Sequence, residues 1–126
     1  MLFEVATQKT LAEIEQGLQA AAARHGFGVM AIHNLKETMK KKGVDFAGEC
    51  LVFEVCNPHQ ARKVLEANGA ISTALPCRIS VYRAGDTYKL ATILPTALLA
   101  MFGNPELDPV AREVEDVILA MMRETA

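Results

Sequence analysis

The sequence predicts an α+β domain: a sheet of about five mainly antiparallel strands with helices packed mostly on one face. Three observations predict it. Short β-rich runs alternate with helix-start signals along the whole chain. Two of those runs, Cys77 to Ala84 and Thr87 to Leu94, are joined by Gly85-Asp86, a two-residue hairpin turn with glycine at its first central position. No repeat, low-complexity tract or long linker divides the 126 residues, and 51% of them are hydrophobic, enough for one core, so residues 1–126 read as a single domain. A sheet must bury at least one face, which makes the helices its cover.

Leu2 to Ala6 reads as the opening strand. Thr7 is placed to cap a helix on which Leu11, Ile14, Leu18, Ala21 and Ala22 share one face, with Lys9, Glu13, Gln16 and Gln19 on the other. His25-Gly26 ends that helix, and Phe27 to Leu35 gives a second strand, so the chain opens β-α-β. Lys36 to Lys42 is a basic helical turn closed by Gly43, and its lysines are expected to be solvated. After the linker Val44-Asp45-Phe46, Glu49 to Val55 alternates as a strand.

Cys56 closes that strand, Asn57 is placed to cap a helix, Pro58 suits its first turn, and Gln60 stands where a capping-box partner reaches back. Ala61, Val64 and Leu65 supply the buried stripe, and Asn68-Gly69 terminates the helix. In the hairpin, pairing Ala84 with Thr87 puts Cys77, Ile79 and Val81 on one face with Leu90, Thr92 and Leu94. Pro95-Thr96 opens a short apolar helix ended by Gly103. Asp108-Pro109 starts the last helix with a cap and a first-turn proline, and Val110, Val114, Val117, Ile118 and Met121 form its stripe.

Composition removes several function classes. Thirteen basic against fifteen acidic residues leave a net charge of −2, which offers no positive field to a nucleic acid or an anionic membrane surface. The start Met1-Leu2-Phe3-Glu4-Val5 lacks a basic stretch followed by an apolar one, and Leu90 to Phe102 is broken by Pro95, so neither a secretory signal nor a membrane span is expected. Three cysteines, Cys50, Cys56 and Cys77, are too few and odd in number for a secreted disulfide framework, and they fit a reducing cytoplasm. No glycine-rich phosphate loop, nucleophile elbow or His-Glu-x-x-His helix is present.

The strand-to-helix junction Cys56-Asn57-Pro58-His59 is the first candidate for chemistry. A thiol just before a helix faces unpaired N–H groups and the positive end of the helix dipole, both of which favour the thiolate. His59, three residues on, can serve as proton partner or metal ligand. Cys77, directly after Pro76, is the natural third member. Two thiols and an imidazole make either a redox pair with a helper or three ligands for a soft divalent metal such as zinc, one position remaining open. The plainer reading is that Asn57 and Pro58 only start a helix, Cys56 is a small hydrophobe and His59 is solvated. Strand parity counts against proximity, because Cys56 alternates with the face of Leu51, Phe53 and Val55. His25 and His33 are expected to be exposed or capping, Cys50 to pack, and Met101, Met121 and Met122 to fill core or interface.

Taken together, His25-Gly26-Phe27, Gly43-Val44-Asp45-Phe46, Cys56-Asn57-Pro58-His59, Leu75-Pro76-Cys77 and Val81-Tyr82 resemble the small bacterial and archaeal family called domain of unknown function 302. The resemblance covers nearly the whole chain, and Pro95-Thr96-Ala97 with the acidic last helix is similar to the family's tail. It implies a fold of the TATA-binding-protein-like class, β-α-β-β-β-β-α in outline, frequently found as a homodimer. It does not imply DNA binding, because fold does not fix function. The family's activity is unassigned, so only positions carry over: Cys56, Asn57, Pro58 and Cys77 match its signature elements, and His59 extends the first.

Three functional readings follow. The first is a thiol-based, soft-metal or small-ligand site at Cys56, His59 and Cys77. The second is a non-enzymatic homodimeric interaction module in which the Cys-Asn-Pro turn is architecture, suggested by apolar residues on both parities of a strand, as with Val52 beside Leu51 and Phe53. A general base at Glu49 or Glu54 is a third, without an identifiable acid to pair with it.

Overall fold

Alternation along one strand decides the layering. In β3 (Cys50–Cys56), Leu51, Phe53 and Val55 are buried while Cys50, Val52, Glu54 and Cys56 stay partly exposed, so one face of the sheet meets the helices and the other does not. The structure, a computed structural model, describes all residues from Met1 to Ala126. Its remaining strands are β1 (Leu2–Thr7), β2 (Gly28–Asn34), β4 (Cys77–Ala84) and β5 (Thr87–Ile93). The order across the sheet is β1-β5-β4-β3-β2 and every pairing is antiparallel.

The hairpin register is as expected: Ala84 pairs with Thr87 and Val81 with Leu90, around a Gly85 whose φ of 64° suits a residue without a side chain. The opening β-α-β keeps its order along the chain, but β1 and β2 lie at opposite edges and do not pair. The helix between them, α1 (Leu11–Arg24), thus crosses the whole sheet, and Ile14, Leu18, Ala21 and Ala22 form its buried stripe. Its cap is Thr10, not Thr7. Thr10 Oγ1 accepts from Glu13 N–H at 3.2 Å while Glu13 Oε1 accepts from Thr10 N–H at 3.0 Å, a reciprocal pair that Thr7, the last residue of β1, could not form.

The helix α2 (Leu35–Lys41), capped by Asn34, has no buried residue, and its Lys36 pairs with Glu49 at 3.1 Å. The last helix, α5 (Asp108–Thr125), buries Ala111, Ile118, Met121, Met122 and Thr125. Asp108 is already helical and makes no capping hydrogen bond, because the preceding turn Pro105–Leu107 carries the chain into the helix directly. Met101, expected as filler, is 75% exposed.

The main core joins Ile14 and Leu18 of α1 and Ile118, Met121 and Met122 of α5 to Phe53, Ile79, Val81 and Leu90 of the sheet. Each such side chain contributes about 1.5–3 kcal/mol on burial. A smaller cluster of Val64, Ile71 and Leu107 lies apart from it, with Leu75, Leu99, Phe102 and Val110 packed around. No helix is long and apolar enough to cross a membrane.

Candidate functional site

The junction at the end of β3 is built as its residues predict. Asn57 Oδ1 accepts from the N–H of His59 at 3.0 Å and of Gln60 at 3.3 Å, and Pro58 opens α3 (Pro58–Ala67). Gln60 does not complete a capping box. Its side chain turns inward instead, and Oε1 is buried with no hydrogen-bond partner. The buried stripe is narrower than expected, for Val64 is covered but Leu65 is 39% exposed, one helical step too far round. Asn68 ends the helix in an extended conformation, starts the 3₁₀ turn Gly69–Ala74, and donates to Asn104 Oδ1 at 3.0 Å. The turn leads through Leu75-Pro76, a cis peptide, into Cys77, which stands opposite Val55.

Cys56 and Cys77 line one cavity. It has about 40 Å³ of space, and 12 of its 15 lining residues are hydrophobic. Ala61 and Val64 of α3 form one wall, Leu98 and Leu99 of α4 (Pro95–Ala100) and Val114 of α5 the other. Asn57 and Gln60 line it too, and no charged side chain does. Cys56 is still paired with Gly28 and keeps the alternation of burial along its strand, and it reaches the cavity from the strand end, where α3 begins.

Electrostatics run opposite to the helix-start argument. Burial pushes the Cys56 thiol up, and burial together with the neighbouring Cys56 pushes Cys77 up to about 11. Apolar walls disfavour the thiolate, and two N–H groups of the α3 amino terminus are committed to Asn57 Oδ1. Both sulfurs are therefore neutral thiols near pH 7, and none of the three cysteines forms a disulfide.

His59 is exposed and does not line the cavity, so the junction gathers two of the three residues expected at a metal centre. No group of three or more His, Cys, Asp or Glu side chains in the protein could hold a metal ion. Cys50 sits at the other end of β3, opposite Tyr82. His25 meets Glu124, and His33 meets Glu54. Glu49 and Glu54, tied to Lys36 and His33, are outside the cavity. Gln60 is the member that sequence reasoning missed, although a signal existed: it lies four residues before Val64 and so shares its face.

The family described as Domain of unknown function DUF302 matches residues 3–125. The chain belongs to this family. The crystal structure of uncharacterized conserved protein DUF302 from Bacillus stearothermophilus is similar to it, with 30% sequence identity and a TM-score of 0.94 over 99% of this chain and 98% of that one. No curated protein matches the chain. In this DUF302 domain two of the elements that carried the sequence resemblance meet at the cavity, one through Cys56 and Asn57 and the other through Leu75 and Cys77, although about twenty residues separate them. Behind Cys77 lies a second hollow of about 260 Å³, which shares Ala74, Cys77 and Leu98 with the first and reaches Arg78.

Proposed function

We propose that this DUF302 chain is a small-ligand-binding domain of a reducing compartment such as the cytoplasm, and that it takes a compact, uncharged molecule into the cavity between Cys56 and Cys77. The observation that carries the proposal is the convergence of two neutral thiols, from separate parts of the chain, on one apolar cavity without a charged lining residue. Such a place rejects ions, whose desolvation nothing there offsets, and accepts neutral molecules by apolar contact and weak polar contact to sulfur. Zinc is the weaker occupant, since two protonated thiols must both ionise and His59 is outside.

The test is titration with two small isomers, isobutanol and methyl propyl ether, followed by methyl NMR of Val64, Leu99 and Val114. Saturable shifts confined to these methyls with either compound, lost in Ala61→Leu, are the expected result. Absence of saturable shifts with both compounds refutes the reading.

A homodimer is compatible with this site and rests on a separate observation. The sheet face away from the helices has no cover, and at its edge Leu2 and Ile93, 57% and 46% exposed, are cross-strand partners. Sedimentation equilibrium at high concentration tests it, and a strictly monomeric chain ends it.

A further inference from the structure

The hollow behind Cys77 differs in kind from the first cavity. Its space of about 260 Å³ approaches the roughly 300–1,000 Å³ of small-molecule sites, and six of its nine lining residues are hydrophobic. Ile93 and Met101 line it and are both exposed, so a molecule can enter from solvent. Arg78 is the one charged residue among the nine. Thr73, the other polar side chain, already donates its hydroxyl hydrogen to the Ala70 carbonyl at 2.8 Å.

Arg78 is also uncommitted. Arg24 and Arg62 meet carboxylates, Arg83 meets a carbonyl, and Arg123 lies over the ring of Phe3. Arg78 joins none of the ion pairs of the protein. Glu54 is its partner across β3 and β4, but that carboxylate is engaged by His33 of β2 instead. A guanidinium without an anion, lining an apolar hollow, presents five N–H donors in a fixed fork.

We propose that this hollow is a site for a small monocarboxylate, whose carboxylate pairs with Arg78 and whose hydrocarbon body covers Ile93, Met101 and Phe102. The site is additional to that of the neutral ligand in the first cavity and does not depend on it. A carboxylate matches the guanidinium fork with two parallel charge-assisted hydrogen bonds. An amine would meet only like charge there. A phosphate monoester would bring up to two negative charges to a single cation, with Glu54 opposite in the sheet repelling the excess. One negative charge on an apolar body is what one arginine among hydrophobic walls fits.

Hexanoate and hexanamide share a carbon chain and differ in charge, which makes them the discriminating pair. Each is titrated into the wild-type protein at pH 7 and low ionic strength, with the methyls of Ile93 and Met101 read by NMR. Saturable shifts at these methyls are expected, with hexanoate binding about fivefold more tightly than hexanamide, the upper scale of an exposed ion pair. The preference should shrink in high salt and vanish in Arg78→Gln. Equal binding of the two probes to the wild-type protein overturns the proposal, as does a preference that survives Arg78→Gln, or the absence of saturable shifts with both. Hexanoate shifts confined to Val64 and Val114 also overturn it, since these residues line only the first cavity. Isobutanol shifts at Val64 and Val114 test the first cavity on their own, so the two readings stand or fall separately. The wild-type comparison requires no variant to fold.

Discussion

Cys77 should be the slowest cysteine to alkylate at neutral pH, and its rate should keep rising where an ordinary thiol has levelled off. Burial, with Cys56 beside it, moves its thiol from an ordinary value near 9 to about 11. Two units lower the thiolate fraction at pH 7 roughly a hundredfold, before any steric protection is counted. The assay is iodoacetamide labelling of the native protein from pH 7 to pH 10, quenched and resolved by peptide mass spectrometry. Labelling of Cys77 should climb about tenfold per pH unit across the whole range. The same shift makes a stability prediction. In the unfolded chain the thiol ionises near 9 and in the folded chain near 11. Between those values the unfolded state holds fewer protons, so stability present below pH 9 is lost as pH rises toward 11, by about 3 kcal/mol at most. Wild-type protein compared with Cys77→Ala isolates this loss from the titration of lysines and tyrosines. A Cys77 rate that matches a free thiol at pH 7, or that flattens below pH 9, refutes the burial of the Cys77 thiol among apolar walls.

Other consequences can be measured on the same protein. Asn57→Ala removes the acceptor for two N–H groups and should cost about 1 kcal/mol in urea denaturation, whereas Thr7→Ala should leave the α1 cap intact because Thr10 makes it. Ile71→Ala, at a fully buried position in the small cluster behind the cavity, should destabilise by about 2–5 kcal/mol, read from the denaturation midpoint. Gln60→Met should raise the melting temperature of the ligand-free protein, since it removes an unsatisfied buried acceptor worth about 1–3 kcal/mol; a lowered melting temperature would mean that the amide has a partner after all. His59→Ala should not alter the pH dependence of Cys56 alkylation, because the imidazole is exposed outside the cavity.

Much of the fold was legible because the signals were local. Gly85-Asp86 sets the register of β4 and β5, and Asn57-Pro58 starts α3, each through the chemistry of a few adjacent residues. Thr7 and Thr10 show the limit of that reading. Both precede the apolar stripe, and only the reciprocal bond with Glu13 distinguishes the true cap. Edge-to-edge separation of β1 and β2 was not legible, since spacing along a chain says nothing of which strands later insert between them. At the candidate site, Cys56, Asn57 and Cys77 could be named because cysteine, asparagine and proline have distinctive local roles. The cavity walls could not, since Leu98, Leu99 and Val114 look like any core residues until α4 and α5 are docked. Gln60 was misread because a capping box and an inward amide begin from the same residue, and the difference lies in a rotamer.

The sheet order also governs how the chain can be made. β1 is an edge strand whose sole neighbour is β5, and Val5 lies opposite Leu90, 85 positions further along. On a ribosome, synthesis at about 5–20 residues per second leaves Phe3 and Val5 without their sheet partner for several seconds or more. No native pairing of β1 can form before β5 has emerged, whereas β2 to β5 pair with their neighbours in sequence, so the β1 edge is added last through contacts of high sequence separation.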